Sequence, residues 1–289
     1  MTIYKYFDYR GVDVVRMLQL KVTPPDQFND LFEFTPVSKG GLGNSDFAQL
    51  TNREAMSEFY KEQEEKGEPP APNFESFMLL MENKVNNKHD VDMIEKSLKA
   101  TMIESCRNLC KEVSQFLGII CFTPNPKNLL MWSHYANGHK GIVVGFNSDH
   151  RFFKESVRIR PVDYPPGDER FVWDITLNRG DEGYDAMADT FALTKSHHWK
   201  YEGELRALLP LDGLERRLIG DGVLGYFLSF PPDLIEEVII GYRASSATEN
   251  AIRQAMAIHG IAENKLLRTQ THLSKFDLEF EPVENKSKA

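Results

Sequence analysis

The sequence has few cysteines and fewer basic than acidic residues. Its 289 residues include three cysteines, and 34 Lys and Arg are outnumbered by 43 Asp and Glu, for a net charge of −9. So low a cysteine content is typical of a reducing compartment, and we expect a cytoplasmic location. The acidic balance argues against non-specific binding to nucleic acid, which requires clustered positive charge.

Long apolar runs and several familiar motifs are also missing. No stretch of about 18 apolar residues occurs, so we expect no membrane span and no membrane partner. The N-terminal residues MTIYKYFDYRG lack the apolar region of a secretory signal. The patterns G-x-G-x-x-G, G-x-x-x-x-G-K-[ST], G-x-S-x-G and H-E-x-x-H do not occur, so the sequence predicts no Rossmann or P-loop site, no nucleophile elbow and no metal.

The sequence does contain enough apolar residues for a core, in both helical and strand patterns. Hydrophobic residues make up 41% of the chain. The patterns predict an α+β fold with a mostly antiparallel sheet, flanking helices and a helical insertion at about 45–117. We expect a single domain over residues 1–283 and a disordered tail over 284–289.

Several segments carry clear local signals. SSATENAIRQAMAIHG has a serine cap and a glycine stop, which predict a helix, and KGIVVGFN and LIEEVIIG predict strands. VDVVRMLQLKV has helical spacing and is followed by Pro24 and Pro25, which predicts a helix that ends there. PKNLLMWSHYANG predicts a helix with proline at its start and glycine at its end.

The segment WKYEGELRALLP, residues 199–210, alternates as a strand would. One predicted face is mainly apolar, and the other carries Lys200, Glu202, Glu204 and Arg206. A solvated strand face is one interpretation of this charged row. A carboxylate that carries out chemistry is the other, and this segment alone does not decide between them.

Two further segments combine polar and aromatic residues. In NLLMWSHYANGHKG, helical spacing would put Leu130 with His134, and Met131 with Tyr135. The segment forms either part of the core or one wall of a pocket for a planar ring. In FNDLFE, Asn29 or Asp30 caps a turn, or alternatively Asp30 or Glu33 binds a ligand hydroxyl or a metal.

Taken together, these landmarks resemble a known family. YKY, FNDLFE, MWSHYANGHKGIVVGF, WKYEGELR and IIGYRASSATENAIRQAM resemble, in order and spacing, a bacterial family designated domain of unknown function 2971. The resemblance runs from Tyr4 to about Phe280 and is weakest between about 40 and 117. The family name implies no particular chemistry.

A more distant resemblance does imply chemistry. The order of IYKYFDYRGVDVVRMLQL, FTPNPKNLLMWSHY and GELRALLP is similar to that of the ADP-ribosyltransferase fold, especially its DNA-modifying toxin branch. In that fold a first strand carries a His or Arg that holds NAD, and a later strand carries a catalytic Glu. This sequence departs from the pattern at Lys5, where His or Arg is expected.

The resemblance implies an enzyme that uses NAD as its substrate and transfers ADP-ribose to a nucleic acid or a protein. It also implies a toxin or anti-phage role and an inhibitory partner protein. Glu204 is the predicted catalytic carboxylate, with Glu202 next. The predicted NAD-binding residues are Lys5, Tyr6, Asn29, Trp132, His134, Tyr135 and Arg206.

Two alternatives belong to other functional classes. Asp30, Glu33, Glu202 and Glu204 could bind Mg²⁺ in a nuclease or hydrolase, with Lys200 as a basic partner. A non-catalytic module that binds a nucleotide or a protein is the other alternative. For that module, substitution of Glu204 by Gln would preserve function and substitution of Trp132 by Ala would not.

Overall fold

The computed structural model describes residues 1–38, 52–86, 88–167, 169–173 and 180–284. The start of the predicted insertion, up to residue 51, and the predicted tail from residue 285 lie outside the described residues. The chain forms two compact units. The first comprises Met1–Phe34, Lys111–Glu169 and Ala192–Ala289, and the second comprises Thr35–Cys110 and Arg170–Phe191. Every predicted site residue lies in the first unit.

The described residues contain helices and strands in mixed order, as an α+β fold requires. The helices are α1 (Gly11–Met17), α2 (Arg53–Glu65), α3 (Phe74–Asn86), α4 (Lys88–Val113), α5 (Leu129–His134), α6 (Tyr184–Leu193) and α7 (Ser246–Ile258). The strands are β1 (Thr2–Phe7), β2 (Gln19–Val22), β3 (Val37–Ser38), β4 (Leu117–Phe122), β5 (Ile142–Asn147), β6 (Ile159–Pro161), β7 (Val172–Trp173), β8 (Leu205–Pro210), β9 (Glu215–Ile219), β10 (Val223–Ser229), β11 (Ile235–Ile240), β12 (Leu266–Thr271) and β13 (Leu278–Pro282).

Within the residues that the structure describes, the first unit contains three sheets. The largest has the strand order β1-β5-β11-β12-β13, and all its pairs are antiparallel except β11 with β12. The other two, β4-β8-β6 and β2-β10-β9, are fully antiparallel. The predicted α+β class with mostly antiparallel strands is therefore confirmed.

The described part of the second unit is mainly helical. It holds α2, α3, most of α4 and most of α6, together with the short parallel pair β3 and β7. Tyr60, Ala71 and Phe77 form a small buried cluster in this unit, and the Tyr60 hydroxyl donates a 2.8 Å hydrogen bond to the Ala71 carbonyl. Among the described residues, no helix combines the length and apolarity needed to cross a membrane.

The strand β4 contacts β8, β1 and the residue that follows β2 in the first unit. One of its edges pairs with β8. Beside the other edge, Ile119 of β4 forms an isolated antiparallel bridge with Thr23, and Thr123, which directly follows β4, forms one with Tyr4. The amide and carbonyl of Thr123 exchange hydrogen bonds of 2.8 and 2.7 Å with Tyr4. These contacts bring β1 and β2 beside the same stretch of β4.

Alternation along β1 divides the interior of this unit into two clusters. Ile3 belongs to the main core with residues from β4, β5, β11 and α7. Tyr4 and Tyr6 point the other way, into a second cluster that includes Trp132, Tyr135 and Tyr201. Tyr135, which packs against this second cluster, also hydrogen-bonds Glu202.

Several predicted elements are confirmed. KGIVVGFN contains β5, LIEEVIIG contains β11, and the predicted C-terminal helix is α7. The Ser245 hydroxyl accepts a hydrogen bond from the Thr248 amide, which is the predicted cap. These segments were predictable because their boundary residues and their periodicity indicate the same structure.

The predicted helix VDVVRMLQLKV was wrong in its second half. Leu18 adopts a left-handed conformation with φ of 52°, and α1 ends at Met17. In β2, Leu20 and Val22 are buried and alternate with half-buried Gln19 and Lys21. Pairing with β10 therefore outweighs the helical spacing, as tertiary context commonly does.

The strand predicted over residues 199–204 was also wrong. His197–Glu202 forms a 3₁₀ helix, Gly203 ends it with φ of 53°, and β8 begins only at Leu205. Gly203 can adopt this left-handed conformation between the 3₁₀ helix and β8, because glycine has no Cβ that would clash there. The predicted helix PKNLLMWSHYANG is shorter than expected, because Asn128 caps α5 and the helix ends at His134.

Candidate functional site

A buried ammonium group holds two carboxylates side by side. Lys195 Nζ lies 2.8 Å from Oε2 of Glu202 and 2.9 Å from Oε2 of Glu204. All three side chains are nearly fully buried. Burial alone lowers the pKa of Lys195, but Glu204 and Glu202 outweigh it and raise the pKa above its usual value. The ammonium is therefore charged at neutral pH, and it offsets the repulsion between the two carboxylates.

A guanidinium holds the other side of Glu204. Arg206 Nε lies 2.8 Å from Oε1 of Glu204, and its Nη1 donates a 2.6 Å hydrogen bond to the Ala192 carbonyl. The guanidinium lies 5.8 and 5.4 Å from the ring centres of Phe28 and Phe34. Burial lowers the pKa of Arg206 to about 9, which leaves the group charged at neutral pH. Both oxygens of Glu204 thus contact cations.

Glu33 supplies a third buried carboxylate. Its Oε1 contacts Nη2 of Arg206, and its Oε2 lies 3.8 Å from Lys195 Nζ. The side chain is fully buried. FNDLFE therefore contributes to the same cluster as the residues of the 3₁₀ helix and β8.

The five charges of this cluster do not cancel. Glu33, Glu202 and Glu204 face Lys195 and Arg206, and each of the five residues is at most 6% exposed. If all are ionised, the formal charge is −1. Water screens little of this charge because the groups are buried, so the cluster favours a positive charge placed beside it.

Glu202 contacts a cation through only one of its carboxylate oxygens. Its Oε1 accepts a 2.6 Å hydrogen bond from the hydroxyl of Tyr135, which is half-buried. Burial and the nearby Glu202 carboxylate raise the pKa of Tyr135, whereas the neighbouring Asn29 side chain lowers it. Glu202 thus has a cation at one oxygen and a neutral group at the other.

Backbone contacts fix the turn that carries the two glutamates. The Thr123 hydroxyl donates a 2.6 Å hydrogen bond to the Glu202 carbonyl, and the Glu204 amide donates a 2.8 Å hydrogen bond to the hydroxyl of Tyr164. Asn128 Nδ2 donates to the Tyr201 carbonyl at 2.6 Å, which ties the start of α5 to the 3₁₀ helix. The left-handed Gly203 lies between the glutamates and lets both side chains reach Lys195.

The structure brings Tyr135, Glu202, Glu204 and Arg206 together in one network, and Asn29 lies beside Tyr135. Because residues 199–204 are not a strand, the shared location of the two glutamates does not come from strand alternation. Both side chains are buried, so the predicted charged row is not a solvated face. Lys200 is exposed and is the member of that row that does face solvent.

The other predicted NAD-binding residues lie on β1 and α5. Tyr6 packs edge-on against Trp132 with ring centres 5.4 Å apart, and its hydroxyl donates a 2.8 Å hydrogen bond to the Asn125 carbonyl. Trp132 is fully buried, donates from Nε1 to the Pro126 carbonyl and stacks on His139 at 5.8 Å. In this structure its ring leaves no exposed face for a ligand.

Lys5 and His134 lie at the margins of this network. Lys5 Nζ donates a 3.1 Å hydrogen bond to the Cys121 carbonyl, and the thiol of Cys121 adjoins Glu204. Burial, together with Glu204, raises the pKa of that thiol. His134 is exposed at the end of α5, with its ring 6.4 Å from that of Tyr135.

The four carboxylates predicted to bind Mg²⁺ contact other groups of the protein instead. Among the described residues, no group of three or more His, Cys, Asp or Glu has a geometry that could hold a metal ion. Glu33, Glu202 and Glu204 direct their oxygens at Lys195 and Arg206 instead. Asp30 caps its own turn by accepting a 2.9 Å hydrogen bond from the Phe32 amide.

Lys195 and Tyr164 were not predicted as site residues. Lys195 lies in DAMADTFALTKSHHW, where a lysine near a helix end suggests a solvated side chain. Its burial depends on the distant Glu33 as well as on the local Glu202 and Glu204. Lys195 lies seven residues before Glu202 and nine before Glu204. This proximity in sequence is a weak signal that the three residues share a site.

Comparison with known families supports the first of the two resemblances. Residues 131–207 match the model of a family described as "Protein of unknown function (DUF2971)". The matched range begins within α5 and ends in β8, so it includes Tyr135, Lys195, Glu202, Glu204 and Arg206. No curated protein and no solved structure matches the chain. The resemblance to the ADP-ribosyltransferase fold therefore gains no support from these comparisons and stays a prediction.

Proposed function

We propose that this protein is an NAD-dependent enzyme of the ADP-ribosyltransferase type, with Glu202 as the carboxylate nearest the reacting ribose. The observation that carries the proposal is the pair formed by Glu202 and Tyr135 at the margin of a buried cluster with excess negative charge. The pair joins a preorganised carboxylate to a half-buried hydroxyl.

The chemistry explains why such a cluster would be useful. When the bond between nicotinamide nitrogen and ribose C1′ breaks, its electron pair leaves with the nicotinamide and positive charge develops on the ribose. A fixed negative charge stabilises that transition state more than the ground state. The acceptor then bonds to C1′, and Glu202 takes the acceptor's proton.

This proposal divides the roles of the two predicted carboxylates differently from the sequence-based ranking. Glu204 contacts cations through both oxygens, so it would hold Lys195 and Arg206 in place. Glu202 has one oxygen opposite a neutral hydroxyl, which a ligand hydroxyl could replace. We therefore assign the reacting role to Glu202 and a positioning role to Glu204.

Other parts of the proposal derive from the resemblance alone. They include transfer to a nucleic acid or a protein, a toxin or anti-phage role, and an inhibitory partner protein. Tyr135 and Asn29 are the residues best located to bind the ribose, since Tyr135 hydrogen-bonds Glu202 and Asn29 lies beside Tyr135. The proposed roles of Tyr6, Trp132 and His134 in stacking or hydrogen bonding stay predictions.

The experiment uses NAD labelled on its adenylate half. Purified protein is incubated with the labelled NAD and a cell lysate, and label in macromolecules and free nicotinamide are both measured. We expect transfer by the native chain, with a loss of at least about a hundredfold in Glu202→Gln. Sensitivity of the labelled product to nuclease or protease identifies the acceptor class.

Glu155→Gln is the matched control, because Glu155 is exposed and lies outside the cluster. Its transfer rate should equal that of the native protein. Absence of both label transfer and nicotinamide release would reject the proposal. In that case, Mg²⁺-dependent cleavage of nucleic acid would favour the nuclease alternative. Binding of a nucleotide or a protein without turnover would favour the binding module.

A further inference from the structure

Of the hydrogen-bonded pair Tyr135 and Glu202, the tyrosine is the partner nearer to solvent. Glu202 is 3% exposed, whereas Tyr135 is half-buried. The Tyr135 hydroxyl donates a 2.6 Å hydrogen bond to Oε1 of Glu202. A substrate carbon that arrives at the margin of the cluster therefore meets the phenol oxygen before the carboxylate behind it.

The backbone and the ring of Tyr135 are both fixed by other contacts. The residue caps the end of α5, where its amide donates a 2.9 Å hydrogen bond to the Met131 carbonyl. Its ring packs against the buried cluster that contains Trp132. These contacts direct the hydroxyl at Glu202 before any ligand binds.

Lys195 completes a series of three functional groups. Its Nζ lies 2.8 Å from Oε2 of Glu202, so one carboxylate oxygen contacts the ammonium and the other accepts the Tyr135 proton donor. A nucleophile, a base within hydrogen-bond reach and a third group that orients the base is the arrangement by which enzymes activate weak nucleophiles. Tyrosine serves as such a nucleophile at the anomeric carbon of some sugars.

We propose that Tyr135 is the catalytic nucleophile of the transfer reaction and forms a covalent bond from its Oη to the ribose C1′ of NAD. The inference rests on the proposed function, because it requires a donor whose C1′ carries a leaving group. It adds to that function a two-step mechanism with a glycosyl-tyrosine intermediate.

The two steps balance in atoms and charge. In the first, the bond between C1′ and nicotinamide breaks and its electron pair leaves with the nicotinamide. Tyr135 Oη bonds to C1′, and its proton passes to Oε1 of Glu202. In the second, the acceptor atom bonds to C1′, the bond to Tyr135 breaks, and the phenol oxygen recovers the proton from Glu202. Glu202 then takes the acceptor's proton and releases it to water.

The charges of the site agree with this sequence of steps. Burial and Glu202 raise the pKa of Tyr135, so the resting phenol keeps its proton until the bond to C1′ forms. The positive charge that develops on the ribose stabilises the phenol oxygen as it loses that proton. The cluster of three glutamates, Lys195 and Arg206 has a formal charge of −1 when all are ionised, and protonation of Glu202 in the intermediate makes it neutral.

The configuration at C1′ tests the two-step mechanism without any substitution. Two displacements at one carbon retain the configuration of the donor, whereas a single displacement inverts it. The native chain is incubated with NAD and methanol, and the methyl glycoside of ADP-ribose is examined by NMR. We expect the β configuration, as in NAD. An α-linked product would overturn the proposed nucleophile.

The intermediate itself is the second readout. The native protein is mixed with NAD in the absence of an acceptor, quenched rapidly with acid, digested and analysed by mass spectrometry. We expect an ADP-ribosyl group on the peptide at Tyr135. An adduct on another residue, or no adduct while nicotinamide is being released, would overturn the role of Tyr135.

Substitution of Tyr135 by Phe is the third readout. The variant should form no adduct and should transfer ADP-ribose to methanol at least about a hundredfold more slowly, because it lacks both the nucleophile and its proton. Tyr242→Phe is the matched control, because Tyr242 is half exposed, and it should keep the native rate and adduct. A Tyr135→Phe protein with the native rate and a retained configuration would contradict the proposal.

The outcomes separate this inference from the proposed function. Neither methyl product nor nicotinamide release by the native protein would reject both. Transfer with inverted configuration would retain the enzyme and reject the nucleophile. Retained configuration together with an adduct on Tyr135 would support both.

Discussion

The hydroxyl of Tyr135 donates a 2.6 Å hydrogen bond to Oε1 of Glu202, while Oε2 of the same carboxylate lies 2.8 Å from Lys195. One glutamate therefore connects α5 to a buried ion cluster. The relationship matters for both stability and function, because loss of either partner changes how the Glu202 carboxylate is held.

Substitution of Lys195 by Met should strongly destabilise the protein. It would leave three buried carboxylates with a single guanidinium, and loss of one partner from a buried ion pair typically costs about 3–5 kcal/mol. Urea denaturation measures the change in the free energy of unfolding. Lys200→Met is the control, because Lys200 is exposed and should change that free energy by no more than about 0.5 kcal/mol. Equal stability of the two variants would contradict a central role for Lys195.

Much of the fold could be predicted because local signals and packing agree. The Ser245 cap, the apolar β5 and the buried β11 each follow from a few neighbouring residues. The charged row over residues 199–206 shows the limit of this approach. Its alternation indicated a strand, but the left-handed Gly203 breaks the segment, and nothing in the neighbouring residues distinguishes a left-handed glycine from an extended one.

The site itself was predictable only in part. Glu202, Glu204 and Arg206 were recognisable because they lie close together in an unusual charged segment. Lys195 and Glu33 are separated by most of the chain, and only tertiary structure buries them together. A lysine is rarely fully buried without partners, so sequence alone favours the solvated interpretation that the structure corrects.

Substitution of Tyr135 by Phe tests the contact that carries the proposed function. It removes the donor to Oε1 of Glu202, and an unsatisfied buried acceptor typically costs about 1–3 kcal/mol. We expect reduced stability in urea and, if the protein transfers ADP-ribose, a lower transfer rate with an altered pH profile. Tyr242→Phe is the control, because Tyr242 is half exposed. A Tyr135→Phe protein with native stability and native activity would show that the hydrogen bond is dispensable.

Substitution of Gly203 by Ala tests the backbone turn between the two glutamates. The left-handed conformation, with φ of 53°, costs a residue with a Cβ about 1–2 kcal/mol. A Cβ at this position would lie 3.7 Å from its nearest neighbour, a ring carbon of Pro124, so the penalty should come from backbone strain and not from a clash. Gly220→Ala is the matched control, because Gly220 has open space around it and an ordinary φ. Equal unfolding free energies for the two variants would contradict the strain.

Alkaline pH should destabilise the protein through Lys195 and Tyr135. The pKa of each is raised in the folded state, Lys195 by Glu204 and Glu202 against the effect of burial, and Tyr135 by burial and Glu202. Each group thus holds its proton more tightly when folded. Its contribution to stability is fully present below its unfolded pKa, about 10.4 for lysine and 10 for tyrosine, and is lost as the pH rises through the folded pKa.

The free energy of unfolding, measured in urea at intervals from pH 8 to pH 11, should fall above about pH 10. Arg206, whose pKa burial lowers to about 9, acts in the opposite direction and offsets part of this fall. For each group that loses its proton in the unfolded state but keeps it in the folded state, the free energy of unfolding falls by up to about 1.4 kcal/mol per pH unit. Lys195→Met and Tyr135→Phe each remove one such group, so each variant should show a shallower decline than the native protein. The exposed-site control Lys200→Met should retain the native slope. A decline of the same steepness in all four proteins would mean that neither group has a raised pKa in the folded state, and the buried charge cluster would then need a different assignment of protons.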